Sequence, residues 1–119
     1  MPPYRVLVTG SLSFDDDDLL TATLDRVLAD KVNVAILSGG AEVIGERYAR
    51  ERGLGLKQLL ADWKLYGRGA KVIRNTQLIE VADHAVFFWD GKNKVVAQLL
   101  EKAEAKGIPA EVVRFGQGT

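Results

Sequence analysis

Apolar residues in this chain fall into two patterns: short unbroken runs, and longer stretches in which they recur every three or four positions. Val6-Leu7-Val8, Val34-Ala35-Ile36-Leu37 and Ala85-Val86-Phe87-Phe88 belong to the first kind. Unbroken runs of that length suit strands buried on both faces, as in a parallel sheet. Glu111-Val112-Val113-Arg114-Phe115 predicts a further strand, and the less regular Leu56-Lys57-Gln58-Leu59-Leu60 one at the sheet edge. Between them, Leu19, Leu20, Leu24, Val27 and Leu28 predict an amphipathic helix of about four turns, capped by Ser13 or Asp15. Residues 41–52 predict a second helix stopped by Gly53. Residues 71–82 predict a third, with Ile73, Leu78 and Val81 toward the core. Val95, Val96, Leu99, Leu100 and Ala103 predict the last, closed by Gly107 and Pro109, and residues 116–119 read as a frayed tail. Five strands and four helices in strict alternation predict an α/β fold, a doubly wound parallel sheet of order 3-2-1-4-5, as one domain over residues 1–119.

In that order the topological switch falls between strands one and four, and ligands bind outside the carboxyl ends of such strands. The first strand ends in Gly10-Ser11, where a residue without Cβ lets a ligand approach the main chain beside a hydroxyl; a plain strand-to-helix turn is the alternative. Strand four ends in Trp89-Asp90-Gly91, followed by Lys92, with Trp89 placed to stack and Asp90 to accept a ribose hydroxyl. Phe87 and Phe88 read as core. Strand two ends in Ser38-Gly39-Gly40, which suits an anion at a helix N-terminus or simply close packing. Residues 61–70, including Asp62 and Trp63, show no regular period and read as a functional loop over the same edge. Arg74 and Asn75 open the following helix, where an arginine gains nothing from the helix dipole; an anion contact and a surface ion pair are both open readings. If Arg74 is the anion contact, Arg74→Ala is expected to spare the fold and weaken binding about thirtyfold.

Composition narrows the chemistry. The 16 basic and 16 acidic residues cancel, which argues against nucleic acid as a partner. There is no cysteine and one histidine, His84, so no thiolate or histidine-cluster metal site is expected. The Asp15-Asp16-Asp17-Asp18 run reads as a capped, solvated first helical turn rather than a metal site. No apolar run approaches the roughly 20 residues of a membrane helix, and Met1-Pro2-Pro3 leads straight into the first strand. A cytoplasmic protein with no cofactor and no membrane partner is the expectation.

Taken together, Val8-Thr9-Gly10-Ser11, Ser38-Gly39-Gly40-Ala41, Ala61-Asp62-Trp63 with Tyr66-Gly67, Ile73-Arg74-Asn75, Ala82-Asp83 and Phe88-Trp89-Asp90-Gly91-Lys92 resemble the YspA/YpsA-related branch of the SLOG (Smf/DprA and lonely-guy) superfamily, across essentially the whole chain. The resemblance implies a Rossmann-like fold and a pocket for a nucleotide-derived small molecule. The implied protein is a homo-oligomeric sensor or sequestering protein, with Gly10, Ser11, Gly39, Gly40, Glu42, Asp62, Trp63, Arg74, Asn75, Trp89, Asp90, Gly91 and Lys92 around the ligand. It also implies an alternative, a nucleotide N-glycosidase in which Glu42 stabilises an oxocarbenium-like ribose and Arg74 grips the phosphate. A DprA-like role on nucleic acid ranks last. Two departures stand out. The family's Gly-Gly-Ala-x-Gly-Ala-Asp is either truncated after Ala41 or shortened by three residues so that Gly40-Ala41-Glu42 takes the place of Gly-Ala-Asp. The Gly-Thr expected at the last helix is replaced by Lys94-Val95-Val96, which removes a hydroxyl donor for phosphate.

Overall fold

A computed structural model describes residues 2–11, 14–38, 45–58 and 62–116, with Lys71 by its backbone only. Five strands, β1 (Tyr4–Gly10), β2 (Val34–Ser38), β3 (Gly55–Gln58), β4 (His84–Trp89) and β5 (Ala110–Arg114), form one parallel sheet in the order β3-β2-β1-β4-β5. β1 lies at its centre, with Leu7 opposite Leu37 on one side and Ala85 on the other. This is the expected Rossmann-like α/β architecture, with the expected strand order. The helices number five among the described residues rather than four: α1 (Asp17–Val27), α2 (Glu46–Arg52), α3 (Trp63–Tyr66), α4 (Ala70–Val81) and α5 (Lys94–Lys106). The extra one, α3, lies in the stretch read as a loop, where Asp62 accepts a hydrogen bond from the Leu65 N–H at 3.0 Å and so nucleates a single turn. α1 is capped by Asp16, not by Ser13 or Asp15: its carboxylate accepts from the Leu19 N–H at 3.0 Å. Ser13, Leu59, Leu60 and residues 117–119 lie outside the described residues.

Alternation along the strands sorts the core into two layers. Val6, Val8, Ile36, Val86 and Phe88 pack with Leu20, Leu24, Tyr48 and Ala49, so α1 and α2 cover one face. Leu7, Leu37, Ala85 and Phe87 pack with Leu78, Ile79, Val96, Leu99 and Ala103, so α4 and α5 cover the other. Phe87 and Phe88 are fully buried, and Phe14 stacks on Phe88 with ring centroids 4.5 Å apart. On the first face, Tyr48 donates to Asp25 at 2.7 Å and Arg52 adds a bond at 3.0 Å, joining α1 to α2. On the second, the Lys106 ammonium donates to the terminal carbonyls of α4, at 2.9 Å for Ile79, which places positive charge where the helix dipole is negative. Because the strands are parallel, α1, α2, α4 and α5 run back against them, and the N-terminus of each lies toward the C-terminal edge of the sheet.

The opposite edge holds His84, the first residue of β4. Its Nδ1 is 2.8 Å from the Tyr4 hydroxyl. Partial burial holds the imidazole below its ordinary pKa, assisted by the Lys31 charge and opposed by Glu111. The folded state therefore favours neutral His84. Stability is full above pH ~6.5, the unfolded value, and falls as the pH drops from there through the folded-state pKa. Because the chain has one histidine, an imidazole NMR titration reads this directly. A midpoint below ~6.5 is expected, and a raised one would refute the burial argument.

Candidate functional site

β1 and β4 end side by side and are tied there by short backbone-directed bonds. The Ser11 N–H donates to the Phe88 carbonyl at 2.9 Å, and the Ser11 hydroxyl oxygen accepts from the Asp90 N–H at 3.1 Å. Gly10 is required by this closeness: a Cβ there would stand 2.5 Å from the Phe88 oxygen. Asp90 turns the chain, since its Oδ1 accepts from the Lys92 and Asn93 N–H groups, each at 2.8 Å. Those two donors, Lys92 first, hold its carboxyl below the usual range, with a smaller contribution from Ser11. Gly91 makes the turn at φ +84°, a conformation that disfavours other residues. Asn93 then caps α5, accepting from Val95 at 2.9 Å and Val96 at 3.1 Å. The first amides of α5 thus already have an acceptor. Trp89 donates its indole N–H to the Asn93 carbonyl at 3.0 Å, and the Arg114 guanidinium lies 5.1 Å from its ring centroid. Trp89 is thereby half-buried and anchored, with one ring face covered by a cation.

Polar groups inside the protein concentrate at this same edge. Seven buried residues among those described are polar or charged: Thr9, Ser11, Thr23, Ser38, Glu46, Arg74 and Asn75. All but Thr23 lie at the C-terminal ends of β1 and β2 or in the opening turns of α2 and α4. Arg74 precedes Leu78 by about one turn, or roughly 6 Å of rise, which lifts it from the level of Leu7 and Leu37 toward that edge. It is 3% exposed, and its Nε donates to the Asn75 Oδ1 at 2.9 Å. The structure therefore buries Arg74 and Asn75 in the second turn of α4, with Asn75 beside Val95, Gln98 and Leu99 of α5, and not on an open surface.

Glu46 was not singled out in the sequence. It opens α2 and is 2% exposed, its Oε1 accepting from the Gln58 amide and lying 3.9 Å from an Arg50 nitrogen. Helical spacing carries the signal: Glu46 shares a face with Ala49, which is fully buried. Of the other expected residues, Gly39, Gly40 and Glu42 lie outside the described residues. Asp62 is exposed and spent on capping α3, while Trp63 beside it is 55% exposed. Leu65 and Tyr66 of α3, Val72 of α4 and Val95 of α5 are also exposed. Lys92 is exposed at the β4 turn. Among the described residues no three His, Cys, Asp or Glu side chains gather as a metal site.

A central strand flanked by parallel neighbours, in the order β3-β2-β1-β4-β5, defines a Rossmann-like protein. The sequence model of the YspA, cpYpsA-related SLOG family matches residues 4–66, which run from β1 through α3. The chain is also 30% identical over 122 residues to the Gene 61 protein of Mycobacterium phage D29, covering 94% of this chain and 96% of that protein. The chain belongs to the YspA, cpYpsA-related SLOG family. Residues 67–119 lie beyond the family match; Arg74, Asn75 and the turn from Trp89 to Lys92, which they carry, fall within the 94% of the chain that aligns with the phage relative. No helix among the described residues is long and apolar enough to cross a membrane.

Proposed function

We propose that the protein binds a nucleotide or nucleotide-derived small molecule at the C-terminal edge of the sheet, as a cytoplasmic sensor or sequestering protein. The observation that carries this is that Thr9, Ser11, Ser38, Glu46, Arg74 and Asn75, six of the seven buried polar residues described, fall at the C-terminal ends of β1 and β2 or in the first two turns of α2 and α4. Polar side chains cost free energy when buried, and collecting them at one place suits a ligand with several donors and acceptors. The exposed Trp63 of α3, in the connection from β3 to α4, offers a flat apolar surface to a base. The family's link to nucleotide binding or processing fits the same reading. Homo-oligomerisation is part of the proposal, supported by the exposure of Trp63, Leu65, Tyr66, Val72 and Val95 on α3, α4 and α5.

The expected result is a rise in melting temperature with AMP, ADP-ribose or a cyclic dinucleotide, since a ligand at 100 times its Kd adds about 2.7 kcal/mol. A broad nucleotide panel without any shift would count against the pocket. Turnover is a separate question. The Asn93 side chain already occupies the Val95 and Val96 amides at the start of α5, two of those that would cradle a phosphate. Incubation with nucleoside monophosphates is therefore expected to release no free base. Release that disappears in Glu42→Gln would favour the N-glycosidase instead.

A further inference from the structure

We infer that Arg114 is the residue that meets the phosphate of the ligand, a step that rests on the nucleotide-binding reading above. Arg114 ends β5 in register with Trp89 at the end of β4, and the Phe115 N–H donates to the Trp89 carbonyl at 3.1 Å, which fixes the two strand ends side by side. The guanidinium therefore stands at the C-terminal edge of the sheet, 5.1 Å from the Trp89 ring centroid. Its other support is the β4 turn. A Cβ on Gly91 would collide with Arg114 Nη2 and lie 2.8 Å from Cζ, so the guanidinium rests where a glycine leaves room. The same turn reaches β1, because the Asp90 N–H donates to the Ser11 hydroxyl oxygen at 3.1 Å. Arg114 thus borders the switch between β1 and β4.

What holds the guanidinium leaves its donors unused. Contact with a ring engages the positive charge and none of the N–H groups, and the Arg114 side chain makes no ion pair or hydrogen bond among the described residues. The surroundings add charge of the same sign. Lys92 follows Gly91 and Lys94 opens α5; both are exposed, and the first turn of α5 carries no acidic residue. The acid of this turn, Asp90, is spent on the Lys92 and Asn93 amides. Cations gathered at the positive end of a helix repel one another and the dipole, and an anion relieves both. Phosphate suits the place, because the planar fork of an arginine meets two of its oxygens at once, and Trp89 and Gly91 restrict that fork before the ligand arrives. Since Asn93 occupies the Val95 and Val96 amides, charged side chains here replace a backbone cradle.

The test uses the isotope-labelled full chain, whose two tryptophans give two indole N–H signals in NMR spectra. Inorganic pyrophosphate should move the Trp89 signal saturably and leave that of Trp63 in place, and Arg114→Gln should abolish the response. In equilibrium binding, Arg114→Gln should weaken AMP about tenfold, and adenosine, which has the base and sugar without the phosphate, by no more than about twofold. Arg114→Lys keeps the charge without the fork and should fall between. Equal losses for AMP and adenosine would overturn the assignment, as would AMP binding that Arg114→Gln leaves intact; in both cases the nucleotide pocket survives. If no nucleotide binds while pyrophosphate still moves Trp89 through Arg114, the anion contact stands and the nucleotide reading falls. A Trp89 signal indifferent to pyrophosphate, with no nucleotide bound, removes both. Arg114 is exposed at a strand end, so Arg114→Gln should melt with the unaltered protein. Should it unfold instead, Arg114→Lys decides: a weakened pyrophosphate response supports the contact and an unchanged one overturns it.

Discussion

Arg74→Ala should lower the stability of the ligand-free protein by about 3 kcal/mol, because it empties a buried volume and strips the Asn75 oxygen of its Nε–H donor. At about 4 °C per kcal/mol for a chain of this size, the melting temperature should fall by roughly 12 °C. The structure thus changes the expectation drawn from sequence, that this exchange would spare the fold. Burial also alters what a binding loss would mean, since a weakened edge binds less well whether or not Arg74 touches the ligand. Arg74→Lys separates the two: it keeps the positive charge while losing the planar fork that meets Asn75. If the lysine variant is destabilised yet binds normally, the role of Arg74 is structural. A melting temperature unchanged in Arg74→Ala would contradict the burial itself.

Gly10→Ala should have an effect of similar size. The added methyl would lie 2.5 Å from the Phe88 oxygen and 3.0 Å from its Cβ, and the closer obstacle is the backbone of a central strand that cannot rotate away. Overpacking of this kind costs about 3 kcal/mol. The strain falls on the bonds that join Ser11 to Phe88 and Asp90, so the two strand ends should part where the ligand is proposed to sit. Denaturant unfolding should show a lower midpoint with an unchanged slope, and nucleotide affinity should fall with it. A midpoint equal to that of the unaltered protein would mean that β1 and β4 have slack at their C-terminal ends.

The sheet was legible because β1, β2 and β4 are buried on both faces, which leaves continuous apolar runs that no surface strand or short helix mimics. Strand order followed from the alternation of elements, which places each helix after a strand and keeps the sheet parallel. What escaped the sequence was local or tertiary. Four residues of α3 are too few to display a 3.6-residue period, and its only cue was an aspartate three positions before Leu65. Any member of the Asp15–Asp18 run has the chemistry to cap α1; the backbone geometry selects Asp16. The fates of Asp62 and Asp90 were hidden for a related reason. A carboxylate near a strand end can serve a ligand or its own chain, and both described here bond to nearby amides. Arg74 and Glu46 were different, because helical spacing already put them on core-facing sides with Leu78 and Ala49. Their charge directed attention to solvent, whereas their position pointed inward.

The short outer strand β3 bears on how copies of this protein can associate. It has four residues, and Lys57 and Gln58 on it are exposed. A strand from a neighbouring molecule adding to that border would have to strip water from the lysine ammonium and would find few backbone groups to pair with. Sheet-to-sheet polymerisation is therefore disfavoured there even when the concentration is high.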